Sequence, residues 1–367
     1  MKKVLSFVVA LLMIATIFTG CQTTTPAQQT ATEAPAAPAE PAAPAEPAAT
    51  EAPKPLKIAF FVSDLSNVFH QGQVAEAQKY AKEKYGAEVY AFDGQSDGTV
   101  MTQNIDQILA QGMDMATLHV WDDEAAIPGI KAALEAGVTM ASFFGPFPGT
   151  GMPVVRSDEA GVSFQMGVEM AMQWTKAYPD KPIVMVQLGW PNHTEVKSGR
   201  TDPFVEGVRS VAPSAVDLGC RDASAGPDAA KQIIADLCVT HPEVNLIYSE
   251  ASNLTVGTMA ALREAGRGKF QDGKPLTEIV CSVDFDAVEM KDVYDPNSSL
   301  KLSMGLPPVE TARARIDNLF AIRNGELAQI GETEVETFAK AYNVSYWTMP
   351  REEASRWLKE QFGVDVQ

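Results

Sequence analysis

KIAFFVSDLSNVFHQGQVAEAQKYAKEKYG, residues 57–86, sets the apolar run Lys57–Val62 before a polar turn. A stretch with Val74, Ala77, Gln78, Ala81 and Tyr85 at helical spacing follows and stops at Gly86. A short continuous apolar run suits a strand buried on both faces. A glycine just past a helix is the expected left-handed cap. The unit recurs: Val89–Phe92 leads to Ile105, Ile108 and Leu109 and ends at Gly112, and Met115–Val120 leads to Ile127, Ile130 and Leu134 and ends at Gly137. Strands alternating with helices at this spacing predict the α/β class, built around a parallel sheet.

After an irregular Gly- and Pro-containing stretch, 144–152, the pattern resumes. Strands are predicted at 183–188, 244–248 and 279–283, and helices at 204–211, 228–238 and 255–265, the last closed by Gly266. Two sheets in one chain predict two lobes with a cleft between them. Ligands of open α/β sheets sit beyond the carboxyl ends of the strands. Ser63, Asp64, Ser66, Asn67, Phe69 and His70 follow the first strand at that end.

The chain has 367 residues, 46% hydrophobic and 21% charged, with a formal net charge of -18. That length allows two domains. So acidic a chain argues against a nucleic-acid partner, which selects basic surfaces. Lys2 and Lys3 precede a mostly apolar run, Val4–Phe18, which reads as an export signal over residues 1–20, too short for a usual membrane span. Phe18-Thr19-Gly20-Cys21 resembles the lipobox of bacterial lipoproteins, with Phe18 where Leu is usual, and implies lipidation at Cys21. Residues 22–55 are Ala, Pro, Thr, Gln and Glu almost throughout. They cannot bury a core and read, with Cys21, as a tether over 21–55. Mostly extended at roughly 3.1 Å per residue, such a tether reaches on the order of 100 Å.

Export permits disulfides, and Cys220, near the end of a strand, is expected to be able to meet Cys238 on the next helix. Cys281 lies in the apolar run Ile279–Val283 and reads as a packed, inert thiol. The four histidines, His70, His119, His193 and His241, lack metal-ligand spacing, so neither a metal nor a cofactor is expected.

The order and spacing of several segments carry a resemblance over roughly residues 57–330. They are VSDLSNVFHQG (62–72), AFDGQSDG (91–98) with TQNIDQILAQGMD (102–114), VWDDEAAIPGIKAALEAGV (120–138), LGWPNHTEVKSGR (188–200), GTMAALREAG (257–266) and SVDFDAV (282–288). Together they resemble the type I periplasmic sugar-binding proteins of ABC transporters, of the ribose- and galactose-binding kind. The resemblance implies two Rossmann-like lobes joined by a three-segment hinge that closes on a sugar. It also implies that Asn67 and Phe69 match the family's asparagine and stacking aromatic, with Val68 in place of its proline, and that His70 stands where a second aromatic is common. Trp190 and Asn192 fall in a loop similar to a polar ligand loop, Arg200 matches a sugar-binding arginine, and Asp286 matches an aspartate, with Asp284 replacing a glycine.

The chain also departs from the pattern. Phe144 stands where the family has Asp or Asn, Ala251-Ser252 replaces Asn-Asp, and Gly305-Leu306-Pro307 lacks a Gln. Sugars present apolar C–H faces to aromatic rings and hydroxyls to fixed polar groups. Trp121, Trp190, Phe69 and Phe144 therefore predict a polyhydroxylated or cyclic ligand with a sizeable apolar face.

Each residue has a plainer reading as well. Asn67 and Asp122 suit helix caps, Phe69 and Trp190 suit core, Arg200 suits a surface ion pair, and His70 suits a packed ring. Gly94-Gln95-Ser96-Asp97-Gly98 matches the Gly-x-Ser-x-Gly nucleophile elbow between a strand and a helix, but no acid and histidine stand out as partners. Gly268–Lys274 fits the start of a phosphate loop, yet Pro275 takes the place of the metal-binding hydroxyl.

The expected protein is not an enzyme. It is a monomeric extracytoplasmic lipoprotein that carries a small carbohydrate-like ligand to an ABC permease. The alternatives are a ligand-sensing receptor for a chemotaxis or histidine-kinase partner, and an exported α/β hydrolase resting on Ser96. Residues 56–157 with about 306–334 are assigned to an N-terminal lobe. Residues 158–305 with about 335–367, including a strand at Val335–Phe338 and a helix at Arg351–Phe362, are assigned to a C-terminal lobe.

Overall fold

The computed structural model describes residues 54–121, 123–328 and 336–366. The expected signal segment, Cys21, the tether up to Pro53, and Asp122 lie outside them. So does Val335.

The first lobe runs β1 (Lys57–Val62), α1 (Val68–Tyr85), β2 (Glu88–Asp93), α2 (Gly98–Ala110), β3 (Met115–Leu118), α3 (Asp123–Glu135), β4 (Thr139–Phe143) and β5 (Val154–Ser157). The second runs α4 (Glu159–Ala177), β6 (Val184–Gly189), a short α5 (Thr194–Val196), a π-helical turn (Lys197–Thr201), α6 (Asp202–Val211), β7 (Val216–Asp222), α7 (Pro227–Thr240), β8 (Leu246–Ser249) and α8 (Ser252–Glu264). It continues with a small hairpin, β9 (Phe270–Gln271) and β10 (Lys274–Pro275), then β11 (Ile279–Val283), α9 (Ala287–Val293) and β12 (Leu300–Gly305). The chain ends with α10 (Pro308–Arg323), β13 (Glu336–Ala339), β14 (Tyr342–Ser345) and α11 (Arg351–Phe362).

The strands form two sheets of like order, β2-β1-β3-β4-β5-β13 and β7-β6-β8-β11-β12-β14. All pairings in them are parallel except β12 with β14. The chain passes between the lobes after β5, after β12 and after β13. This is the doubly wound two-lobe architecture expected from the strand–helix alternation. Asn67 accepts the Phe69 amide at 2.8 Å to cap α1, and Gly86 closes that helix at φ 64. Among the described residues no helix is long and apolar enough to cross a membrane.

Each sheet is packed on both faces. In the first, Phe61, Phe92, Met101 and Ile108 lie on one side and Ile58, Phe60, Ile316 and Leu319 on the other. In the second, Met185 and Tyr248 pack with Phe204 of α6 on one side, while Val186 packs with Ile234 of α7 and Leu262 of α8 on the other. Helices α4 and α6 approach closely because each has a glycine at the crossing. A Cβ on Gly167 would stand 2.3 Å from the Phe204 carbonyl oxygen, and one on Gly207 only 2.1 Å from the Phe164 carbonyl oxygen. Backbone atoms cannot step aside as a side-chain end can. Gly207→Ala is therefore expected to cost about 2–3 kcal/mol as the helices are forced apart, read as a lower urea midpoint. An unchanged midpoint would mean that the crossing has slack.

Two expectations are corrected. The strand expected at Val335–Phe338 in the second lobe forms as β13, but it pairs with β5 of the first sheet, from Glu336↔Val154 to Ala339↔Ser157. Helix α10 packs on β4 and β5 of that lobe, so the chain emerges beside β5, whose edge would otherwise leave ladder groups unpaired. β14 then joins the second sheet, and Trp357 and Leu358 of α11 pack in its core.

Cys220 and Cys238 are both free thiols rather than a disulfide. Cys220 lies near the carboxyl end of β7, 3.9 Å from the Glu250 carboxylate. Helix α7 starts beside that end and runs back along the sheet, so Cys238, eleven residues beyond its first residue, lies roughly 16 Å along the helix axis. There it neighbours Arg267 and Glu278. Cys281 is fully buried in β11, as expected of a packed thiol.

Candidate functional site

A cavity of about 290 Å³ lies between the lobes, walled by the loops that follow the strands' carboxyl ends. Its volume suits a small ligand. The first lobe contributes Ser63, Asp64, Asn67, Phe69 and His70 after β1, Ser96 after β2, His119 and Trp121 after β3, and Phe143 and Phe144 at the end of β4. The second lobe contributes Glu159, Trp190, His193, Arg200, Ala251, Ser252, Asp284 and Asp286. Of the ten ligand candidates from the sequence, nine line this cavity. Asn192 does not. It is exposed and lines a neighbouring compartment together with Trp121, Trp190 and His193.

The lobes touch across the cavity. Trp121 meets Trp190 and His193, each at 6.4 Å between ring centroids, Phe144 meets His193 at 5.9 Å, and the Arg200 guanidinium stands 5.8 Å over the Phe144 ring. Asn67 stands close enough to Asp284 of the opposite lobe to favour its carboxylate form. This is a closed cleft.

Arg200 sits in the π-helical turn before α6, an irregularity common at functional sites. Its Nε donates to Glu159 Oε2 at 2.6 Å and its Nη1 to the Glu250 carbonyl oxygen at 2.6 Å. Burial works against its charge, but Glu159 and Asp284 outweigh that and hold the guanidinium more firmly protonated than usual. The Glu250 carboxyl accepts from the Thr201 hydroxyl, and burial pushes it up to about 7.

Phe144 and Asp284 are the residues directly after β4 and β11, which hold equivalent places in the two sheets. Both have left-handed backbone, φ 75 and φ 69, where a side chain is strained. The strain sets one group of each lobe into the cleft. Burial pushes the Asp284 carboxyl up to about 6, against the lowering effect of Arg200. A folded pKa above the unfolded value means that the folded state holds the extra proton. This group therefore adds no penalty below about 4, and it destabilises the unliganded fold increasingly as pH rises through about 6. Asp284→Gly is expected to relieve both the φ strain and this penalty. The unliganded protein should gain about 2–4 kcal/mol at pH 7 with a flatter stability–pH curve from pH 4 to 7, while ligand binding is expected to be lost. Thermal melts across that pH range check it, and a variant less stable than the parent at pH 7 would contradict it.

Several polar groups already have partners. His70 Nε2 lies 2.8 Å from Ser63 Oγ and its Nδ1 3.4 Å from Gln73 Oε1, and burial lowers its pKa to about 4, so the ring is neutral. Asp286 Oδ1 accepts the Val288 and Glu289 amides at 2.8 Å each and caps α9, while burial raises its pKa. Ser96 donates to Asp64 Oδ2 at 2.7 Å. That bond ties two loops together and engages a carboxylate, not the histidine that a nucleophile elbow requires.

Other groups stand unpartnered. His119 Nδ1, Trp190 Nε1 and both His193 ring nitrogens are buried without a hydrogen bond. Burial lowers both of these histidines' pKa values, so each offers one donor and one acceptor. A buried polar atom left unpaired costs about 1–3 kcal/mol, a cost that a hydrogen-bonding ligand would remove. The sequence reading weighed His119 and His193 only as metal ligands. Their places after β3 and inside the 188–200 loop were the signal that could have found them. Glu159 had no such signal, because its partner Arg200 is 41 residues away.

Comparisons with known proteins follow the same outline. A family profile described as a periplasmic binding protein domain matches residues 58–327. The chain is similar to a D-ribose/D-allose-binding protein of Pseudomonas aeruginosa, 22% identical over 281 residues that span 70% of this chain and 85% of that one. Among solved structures, a Caulobacter myo-inositol binding protein bound to myo-inositol superposes with a TM-score of 0.67 at 18% identity, covering 85% of this chain and 100% of the other. A 5-methylthioribose transporter solute binding protein from Thermotoga lettingae gives 0.66 at 16% identity, covering 85% and 94%. At such identities the structural likeness shows the fold.

Proposed function

Since the chain belongs to the periplasmic binding protein domain family, we propose that it captures a small carbohydrate-like ligand between its two lobes and delivers it to an ABC permease. The observation that carries this reading is the interlobe cavity, whose walls combine the rings of Trp121, Trp190 and Phe144 with Arg200, Asp284 and unpartnered imidazole and indole nitrogens. Rings cover a sugar's C–H faces, and a charged group makes the stronger bonds to its hydroxyls. The similarity to a D-ribose/D-allose-binding protein and to a myo-inositol binding protein supports the same ligand class.

The mechanism is a population shift. A ligand touching Asn67 and Phe144 of one lobe and Arg200 and Asp284 of the other gains both sets of contacts only when the lobes close, so it favours the closed form. A permease that reads the closed form then distinguishes loaded from empty carrier. Lys2-Lys3, the apolar run to Phe18 and Cys21 support export and lipid anchorage. In this reading the carrier acts as a monomer. Its binding residues are Asn67, Phe69, His70, Trp121, Phe144, Trp190, Arg200, Asp284 and Asp286, with His119 and His193 added.

Thermal unfolding of the purified protein against sugars, polyols and nucleosides tests it. A ligand at about 100 times its dissociation constant stabilises by about 2.7 kcal/mol, a shift of roughly 2–4 °C per kcal/mol at this size. No shift across the panel would remove carbohydrates from consideration.

A further inference from the structure

The neighbouring compartment that holds Asn192 has a volume of about 320 Å³, close to the roughly 290 Å³ of the inner cavity. The two share Trp121, Trp190 and His193, so the tryptophan pair stands at the partition between them. Both His193 ring nitrogens and Trp190 Nε1 lack hydrogen-bond partners at this junction, the Glu195 carboxylate standing 3.6 Å from His193 Nδ1.

Beyond the partition the lining changes character. Asn192, Thr194, Glu195, Asp222 and Ser224 give it amide, hydroxyl and carboxylate groups beside the two tryptophans. Asp222 Oδ1 accepts the Ser224 amide at 3.0 Å and its hydroxyl at 2.6 Å, which holds the carboxylate in place and ionised. An outer chamber with aromatic faces and fixed acceptors suits a second hydroxyl-bearing ring better than an apolar substituent, which would leave those groups unpaired.

We infer that the ligand is a two-ring glycoside of disaccharide size. One ring lies in the inner cavity, and the second lies against the Trp121–Trp190 partition between Asn192 and Asp222. This rests on the carbohydrate-carrier reading and specifies its ligand. It also gives Asn192 a role outside the inner cavity.

Titration calorimetry of the full chain tests it with galactose, glucose, ribose and myo-inositol against lactose, melibiose, maltose and cellobiose. At least one disaccharide is expected to bind tenfold or more tightly than either of its constituent sugars. Asp222→Ala and Asn192→Ala should each weaken that disaccharide by about tenfold, and Asp222→Ala should leave monosaccharide affinity as in the parent. Both positions are exposed, so the variants should fold. Monosaccharides binding as tightly as every disaccharide, or a disaccharide affinity indifferent to both substitutions, overturns the inference and leaves the carrier reading standing. No binding by any sugar defeats both together.

Discussion

Arg200→Ala is expected to lower affinity for the ligand that the panel identifies by at least a hundredfold, about 2.7 kcal/mol. The guanidinium spends Nε on Glu159 and Nη1 on the Glu250 carbonyl, and faces Phe144 of the other lobe. Its remaining donors are the cleft's cationic contribution, since among the described residues Arg200 is the only lysine or arginine lining the cavity. Truncation also strands Glu159, only 5% exposed, without its counter-charge. Breaking such a buried pair typically costs about 3–5 kcal/mol of fold stability, while the lost ligand contacts set the fall in affinity. Arg200→Lys keeps the charge but not the planar fork, so it should fall between, near tenfold. Calorimetry reads the affinities, and circular dichroism confirms that the unliganded variants fold. Parent-like binding by a folded Arg200→Ala would remove this cleft as the ligand site.

Arg315→Ala is expected to destabilise the fold by about 3–5 kcal/mol, a large share of the roughly 5–15 kcal/mol that holds most proteins together. Arg315 is fully buried on α10, and no carboxylate among the described residues pairs with it. Uncharged oxygens hold it instead. Nη2 donates to the Phe61 carbonyl at 2.7 Å and the Thr117 carbonyl at 3.1 Å, Nε to Thr117 Oγ1 at 2.9 Å, and Nη1 to Gln73 Oε1 at 3.2 Å. The guanidinium lies 3.8 Å from the Phe60 ring centroid and 4.6 Å from that of Phe143. It thus bolts α10 to the ends of β1 and β3, directly behind the cavity wall. Alanine leaves a void and several unpaired oxygens. Arg315→Met refills most of the volume and should recover about half of the loss. Urea midpoints of the two variants decide it, and equal midpoints for parent and Arg315→Ala would show that the bolt is dispensable.

Much of the architecture was legible in the sequence because its signals are local. The apolar run at Lys57–Val62 could form only a buried strand, and the capping glycines Gly86, Gly112 and Gly137 all adopt left-handed φ. The candidate site was legible in outline for a related reason. Residues directly after a strand face the cleft whatever the details of packing, which brought Phe144, Trp190 and Asp284 to one cavity. Asn192 escaped that rule because it lies three residues past the end of β6, on the outer side of the Trp190 turn.

What the sequence determined by itself was therefore the α/β class, the two sheets and the strand ends that would carry function, since a period of two or of 3.6 residues is written into consecutive side chains. Tertiary structure alone decided that Arg200 pairs with Glu159, that β13 joins the first sheet, that Cys220 and Cys238 stay apart, and that Arg315 is buried against carbonyls. These depend on which elements become neighbours and in what register. Neighbours distant in the chain are chosen by the packing of whole layers, and no short stretch of sequence records that choice.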